Sequence, residues 1–181
     1  MKTNWHPALL FILLILVSGC APSLAADQPL PTATQAPPMA TSTPEPDCSA
    51  ETTPDFSDYA RWTKVNPQPI KGHEVFVNIY VDDLAKETYL SASGETFPVC
   101  AKIVKTHLEN VDSEEVTAIT IMVKMPSGYD PDNNDWWWGM YDRGGRVAQM
   151  SGKVPVCIAC HKPAAAADYV FSQKVREESM K

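Results

Sequence analysis

The chain has 181 residues, of which 44% are apolar and 20% charged, with 15 Lys plus Arg against 22 Asp plus Glu and a formal net charge of −7. That length fits one sizeable domain and excludes a large multidomain enzyme, a multi-span membrane protein and a collagen-like chain, while the acidic balance argues against nucleic acid as a partner. Sixteen prolines against eight glycines point to a non-globular part, and five cysteines cannot all be used in pairwise disulfides.

Residues 1–19 begin with Lys2 and carry an apolar run from Ala8 to Val17. The run is too short to span a bilayer comfortably and suits the core of a signal peptide. Its end, Val17-Ser18-Gly19-Cys20, resembles a bacterial lipobox, which implies cleavage before Cys20 and lipidation of its thiol. Cleavage after Ala25 or Ala26 by an ordinary signal peptidase is the alternative, and either route exports the protein. Export with acylation anchors the chain to the outer side of the cytoplasmic membrane or to the periplasmic or outer membrane. Residues 20–55 hold eight of the sixteen prolines, many Thr, Ala and Ser, and no aromatic residue. With little apolar surface to offset ordering entropy, this stretch reads as a Pro/Thr-rich tether.

The folded part is expected over 56–181. In Glu74–Val81 the residues Val75, Val77, Ile79 and Val81 alternate onto one face, the pattern of a strand. Asp82 or Asp83 then caps a helix running to about Ser91, with Leu84 and Tyr89 turned inward. Phe97–Thr106 and Glu115–Met125 read as strands, and Pro126–Asn134 as a loop dense in turn residues. Trp136–Asp142 and Arg146–Met150 flank Arg143-Gly144-Gly145 as a hairpin, with Trp136 and Trp138 on one face. Pro163–Phe171 reads as a terminal helix. Strands joined by short links and followed by a helix give an α+β fold with an antiparallel sheet.

The chemistry concentrates at Cys157-Ile158-Ala159-Cys160-His161. C-x-x-C-H is the attachment signature of haem c: each thiol forms a thioether with one vinyl group, and the histidine supplies the proximal nitrogen to iron. A thioredoxin-like pair would belong to an early βαβ unit and needs no histidine. A zinc site needs a fourth ligand, for which the folded part offers only His73 and His107. A Cys157–Cys160 disulfide leaves His161 unexplained. One covalent haem c per chain is therefore expected, with Cys157, Cys160 and His161 binding it. If Cys20 carries lipid and two thiols carry haem, Cys48 and Cys100 are left, either as a disulfide or as two free thiols.

A motif about twenty residues from the C-terminus, after strands, is unlike the small helical cytochromes c, and Met125, Met140 and Met150 stand in no recognisable distal-ligand context. Val77-Asn78, Phe97-Pro98 with Ile103-Val104-Lys105, Met122-Val123-Lys124, Gly128-Tyr129-Asp130-Pro131, Asp135-Trp136, Tyr141-Asp142 and Asp168-Tyr169-Val170-Phe171 stand in order around it. Over 56–171 this set resembles cytochrome P460 and the related β-sheet cytochromes c′. The resemblance implies an antiparallel haem domain, usually a homodimer, with five-coordinate iron open to hydroxylamine or nitric oxide. P460 enzymes oxidise hydroxylamine and carry an extra bond from a lysine to the porphyrin edge; the cytochromes c′ of this type lack that bond and bind gases. Lys105 ends the segment resembling the family's F-P-x-G-x-x-I-V-K and is the cross-link candidate, although Cys100 replaces the glycine. A solvent-facing strand lysine is the alternative, and strand alternation puts Lys102 on the opposite face. Glu109, Asp112, Glu114, Glu115, Asp130 and Asp135 are candidates for a distal acid or base, and Arg61 for a propionate contact. Tyr169 and Phe171 are expected to pack on the haem or core. A redox partner protein would receive the electrons; without turnover, the same site is a gas-binding or electron-transfer module.

Overall fold

The computed structural model describes residues 48–49, 53–72, 74–91 and 94–179. The signal segment 1–19, Cys20, most of the tether and His73 lie outside the described residues. Seven strands form one antiparallel sheet: β1 (Thr63–Lys64), β2 (Ile70–Gly72), β3 (Val75–Val81), β4 (Lys102–Leu108), β5 (Val116–Lys124), β6 (Trp136–Asp142) and β7 (Ala148–Gly152). Their order is β1-β3-β4-β5-β6-β7, with β2 also pairing β3. Helices α1 (Asp83–Leu90), α2 (Pro155–His161) and α3 (Ser172–Ser179) accompany the sheet. The α+β antiparallel architecture expected from the sequence is the one observed.

Alternation explains β3: Val77, Ile79 and Val81 are buried together on one face. Asp82 caps α1, its carboxylate accepting from the Ala85 N–H at 2.8 Å and also from the Lys102 N–H at 3.1 Å, which ties the helix to β4. The inward residues of α1 are Ala85 and Tyr89, not Leu84, which is 39% exposed. Here 3.6-residue periodicity starting from the buried Tyr89 selects i−4, Ala85, and turns the larger leucine outward. The expected strand over 97–106 is shortened at its start, because the chain turns at Pro98–Cys100 and Cys100 adopts φ +69° before β4 begins. Cys100 is joined to Cys48 by a disulfide that closes a 52-residue separation.

The register places cross-strand neighbours on common rows. One row reads Ile79, Lys105, Thr120, Met140 and Met150 from β3 to β7, and the next reads Val81, Ile103, Met122, Trp138 and Gly152. Directly opposed residues of an antiparallel sheet share a face, so both rows belong to the face that α2 covers. The other face carries Val104, Ile119, Ile121, Val123, Trp137 and Tyr141 under Phe56. All three consecutive tryptophans are buried, Trp136 and Trp138 in the first cluster and Trp137 in the second. They are core residues, and truncating an indole in such a setting costs roughly 3–5 kcal/mol.

Gly139 sits between Trp137 and Tyr141, whose rings would lie 2.8 Å from a Cβ placed there. Neither ring is the tip of a flexible chain. Gly139→Ala is therefore expected to destabilise the domain by about 1–3 kcal/mol through overpacking, read as a lower denaturant midpoint at unchanged slope.

Candidate functional site

Pro155 opens α2, where its missing N–H and fixed φ cost nothing, and the helix runs through the C-x-x-C-H segment. Positions i, i+3 and i+4 of a helix share one side, so Cys157, Cys160 and His161 are presented together. All three line a cavity of about 390 Å³ whose opposite wall is the sheet: Ile103, Lys105 and His107 of β4, Thr120 and Met122 of β5, Trp138 and Met140 of β6, and Met150 of β7.

His161 is 5% exposed and wedged between aromatic rings, with Trp138 at 4.8 Å and Phe171 at 5.4 Å between centroids. Its Nδ1 lies 2.7 Å from the Tyr169 carbonyl oxygen. A carbonyl only accepts, so Nδ1 carries the proton and the lone pair resides on Nε2, the tautomer required of an axial ligand.

The carbonyl that orients His161 is itself held by an unusual piece of chain. Asp168 and Tyr169 are consecutive non-glycine residues at φ +51° and +63°, a left-handed pair that costs energy and persists only where contacts enforce it. The enforcing contacts converge on Asp168. Its carboxylate accepts from Lys124 Nζ at 2.7 and 2.8 Å, from the Phe97 N–H at 2.8 Å and from Asn134 Nδ2 at 3.0 Å. Trp136 Nε1 donates to the Asp168 carbonyl at 2.8 Å and to its carboxylate at 3.2 Å. The Lys124 and Asp168 side chains are 8% and 2% exposed. The expected terminal helix over 163–171 is thus interrupted: a 3₁₀ turn covers Lys162–Ala167, the left-handed pair follows, and α3 begins only at Ser172. Tyr169 and Phe171 precede that helix rather than sitting on it; the Phe171 ring packs on His161, while Tyr169 meets it through its carbonyl and directs its hydroxyl to Asn133.

Lys105 is partly buried on the cavity wall. Burial lowers its ammonium from 10.5 to about 8, against an opposing pull from the charges of Cys160 and Cys157. Lys102 projects to the other face, its ammonium 6.0 Å from the Trp62 ring, and Lys124 is committed to Asp168. Burial, and Cys160 next, push the Cys157 thiol up, while Lys105 pulls it down.

None of the six candidate carboxylates lines the cavity. Glu109, Asp112, Glu114 and Glu115 are exposed, Asp130 bonds Asn133, and Asp135 accepts from the Asp130 N–H. Arg61 is exposed between Tyr59 and Trp62, which pack on the opposite face of the sheet. The cavity residues missed from sequence are His107 and Thr120, with Met140 and Met150 beside them. Alternation from Lys105 was the available signal for His107, which enters the sequence reading only as a zinc ligand.

The wall tests whether a porphyrin suits this space. It is predominantly apolar, and the indole N–H of Trp138, which is 2% exposed, has no hydrogen-bond partner among the described residues. A buried donor beside a cavity calls for an acceptor supplied by whatever fills it. Among the described residues no group of three or more His, Cys, Asp or Glu side chains is arranged around a bare metal ion. An apolar space with two thiols, one oriented imidazole and an orphan donor fits haem c.

A family model described as Cytochrome P460 matches residues 56–172. The chain belongs to the cytochrome P460 family. No curated protein matches it. Family membership makes it a c-type haem protein, and the matched span contains the sheet, α2 and the Asp168–Tyr169 pair.

Proposed function

We propose that the protein is a cytochrome P460-type oxidoreductase that oxidises hydroxylamine and binds nitric oxide at the same site. The observation that carries this reading is the position of Lys105 on the wall of the cavity that Cys157, Cys160 and His161 line. A pure gas-binding relative needs no amine there.

Cys157 and Cys160 would hold one haem c through thioethers, with His161 Nε2 as its proximal ligand and the iron otherwise five-coordinate. When bound, the haem supplies an electron acceptor and an open coordination position for a small nitrogen compound. The Tyr169 carbonyl keeps His161 in one tautomer and raises its basicity. Ile103, Met122 and Trp138 give the cavity an apolar wall against which a porphyrin would pack. Lys105, with its ammonium lowered to about 8, has far more neutral amine at neutral pH than an ordinary lysine, which suits it to bond the porphyrin edge.

The Cys48–Cys100 disulfide supports an oxidising compartment and hence export. In this reading Cys20 is lipidated, the Pro/Thr-rich tether holds the domain off the membrane, a homodimer forms, and a redox partner protein removes electrons. The second reading, an electron-transfer cytochrome, is favoured by Met140 and Met150 on the cavity wall, since a thioether could close the sixth position.

The ferrous absorption spectrum and an assay with ferricyanide separate the two. A strongly red-shifted Soret band with hydroxylamine-dependent ferricyanide reduction is expected. An ordinary low-spin spectrum without turnover would replace this reading by the second.

A further inference from the structure

Hydroxylamine oxidation, on which this inference rests, must dispose of protons as well as electrons. Removing two electrons from NH₂OH leaves HNO and two protons, and the two electrons reduce two ferricyanide ions to ferrocyanide. In an apolar cavity those protons need a base at hand. The carboxylates that the sequence offered for this task do not line the cavity. If Lys105 is bonded to the porphyrin edge, its nitrogen is occupied, and His161 is the axial ligand.

One other basic side chain lines the cavity. His107 follows Lys105 by two residues on β4, so both lie on the same face. Thr120 stands directly opposite Lys105 on β5, which puts it diagonal to His107 and within reach of a long side chain. The contact is made: His107 Nε2 is 3.2 Å from Thr120 Oγ1. A hydroxyl both donates and accepts, so Thr120 can hold either neutral tautomer of the ring and pass a proton along it.

We propose that His107, held by Thr120 on the cavity wall, is the catalytic base that takes the protons released from hydroxylamine. Among the described residues, its neighbours in the sheet and on the cavity wall can be named. β3 sets Val77 opposite it, β5 sets Ala118 and Thr120, and the same row ends at Asp142 of β6. That carboxylate accepts from the Arg146 and Val147 N–H groups in the turn before β7. Lys105 lies on its own strand, with Glu109 beyond the bulge after His107, and α2 contributes Cys157, Cys160 and His161. An imidazole accepts a proton only while neutral, so turnover falls as the pH drops through its titration.

The test compares the full-length haem-loaded protein with His107→Gln, which keeps a hydrogen-bonding group beside Thr120 but cannot take up a proton near neutral pH. The expected kcat for hydroxylamine with ferricyanide falls about a hundredfold. The acid limb of the kcat profile, which reports the bound complex rather than free hydroxylamine, disappears. Nitric oxide binding to the ferrous protein, which moves no proton, keeps its affinity and spectrum; a merely structural role for His107 would shift both. Thr120→Val gives a smaller, several-fold loss in kcat, and it carries the test if His107→Gln does not incorporate haem. A wild-type protein that turns over hydroxylamine while both variants retain its kcat and pH profile overturns the assignment of His107 alone. A wild-type protein that binds nitric oxide without oxidising hydroxylamine overturns the parent reading and this one with it.

Discussion

Replacing Asp168 with alanine is expected to destabilise the domain by about 3–5 kcal/mol, the range seen when one member of a buried ion pair is removed and the other charge is left without compensation. The stranded group is the Lys124 ammonium, only 8% exposed, with its charge 5.1 Å from the centroid of the Trp136 ring. Alanine also disfavours the left-handed conformation that Asp168 adopts at φ +51°, which Asp and Asn tolerate better. Thermal melts should show a loss on the order of 10 °C or more for a domain of this size. Lys124→Met should cost less, because the carboxylate would keep its donors from Phe97, Asn134 and Trp136. That order, Asp168→Ala worse than Lys124→Met, is the discriminating result. Equal stability of wild type and Asp168→Ala would mean that the carboxylate does not neutralise Lys124. The consequence reaches the haem site because Asp168 precedes the residue whose carbonyl fixes His161. Loosening the pair should therefore broaden the orientation of the proximal ring as well as lower the melting temperature.

This hub was hardly legible in the sequence, for a physical reason. A lone Asp after four alanines looks like a helix terminus, and a lone Lys at a strand end looks like a solvated charge. Their pairing joins residues 44 positions apart and becomes visible only when β5 and the segment after α2 are brought together. What the sequence did carry was local. Strict alternation marked β3, the tryptophan run marked β6, and C-x-x-C-H marked the candidate attachment site without reference to the fold. Alternation failed at Phe97–Cys100, where an apolar run satisfies a strand pattern but Pro98 and a left-handed Cys100 turn the chain instead. Two-residue β1 and three-residue β2 are too short to show any period. The loop carboxylates stand out in the sequence as candidate bases, whereas a lone histidine in a strand such as His107 carries no pattern until its neighbour across β5 is known.

The haem attachment itself makes the largest all-or-none prediction. Protein matured with haem-attachment machinery should carry the mass of one haem after denaturation and retain it through acid extraction. Cys157→Ala and Cys160→Ala should each remove one thioether, and the double variant should lose both. In the proposed reading Lys105 would add a third, chemically distinct link to be counted. Such a link would join Nζ to a porphyrin edge carbon with loss of one hydrogen from each, and one peroxide would take up the two electrons and two protons to become two waters. Only the neutral amine attacks, and the Lys105 ammonium titrates at about 8, so the cross-linked fraction should rise between about pH 7 and pH 9. Peptide mapping of Lys105→Met should show haem on the cysteine peptide alone, with the red-shifted Soret band gone and the thioethers intact. If wild type and Lys105→Met give identical maps and spectra, Lys105 is a cavity-lining amine and not a link to haem.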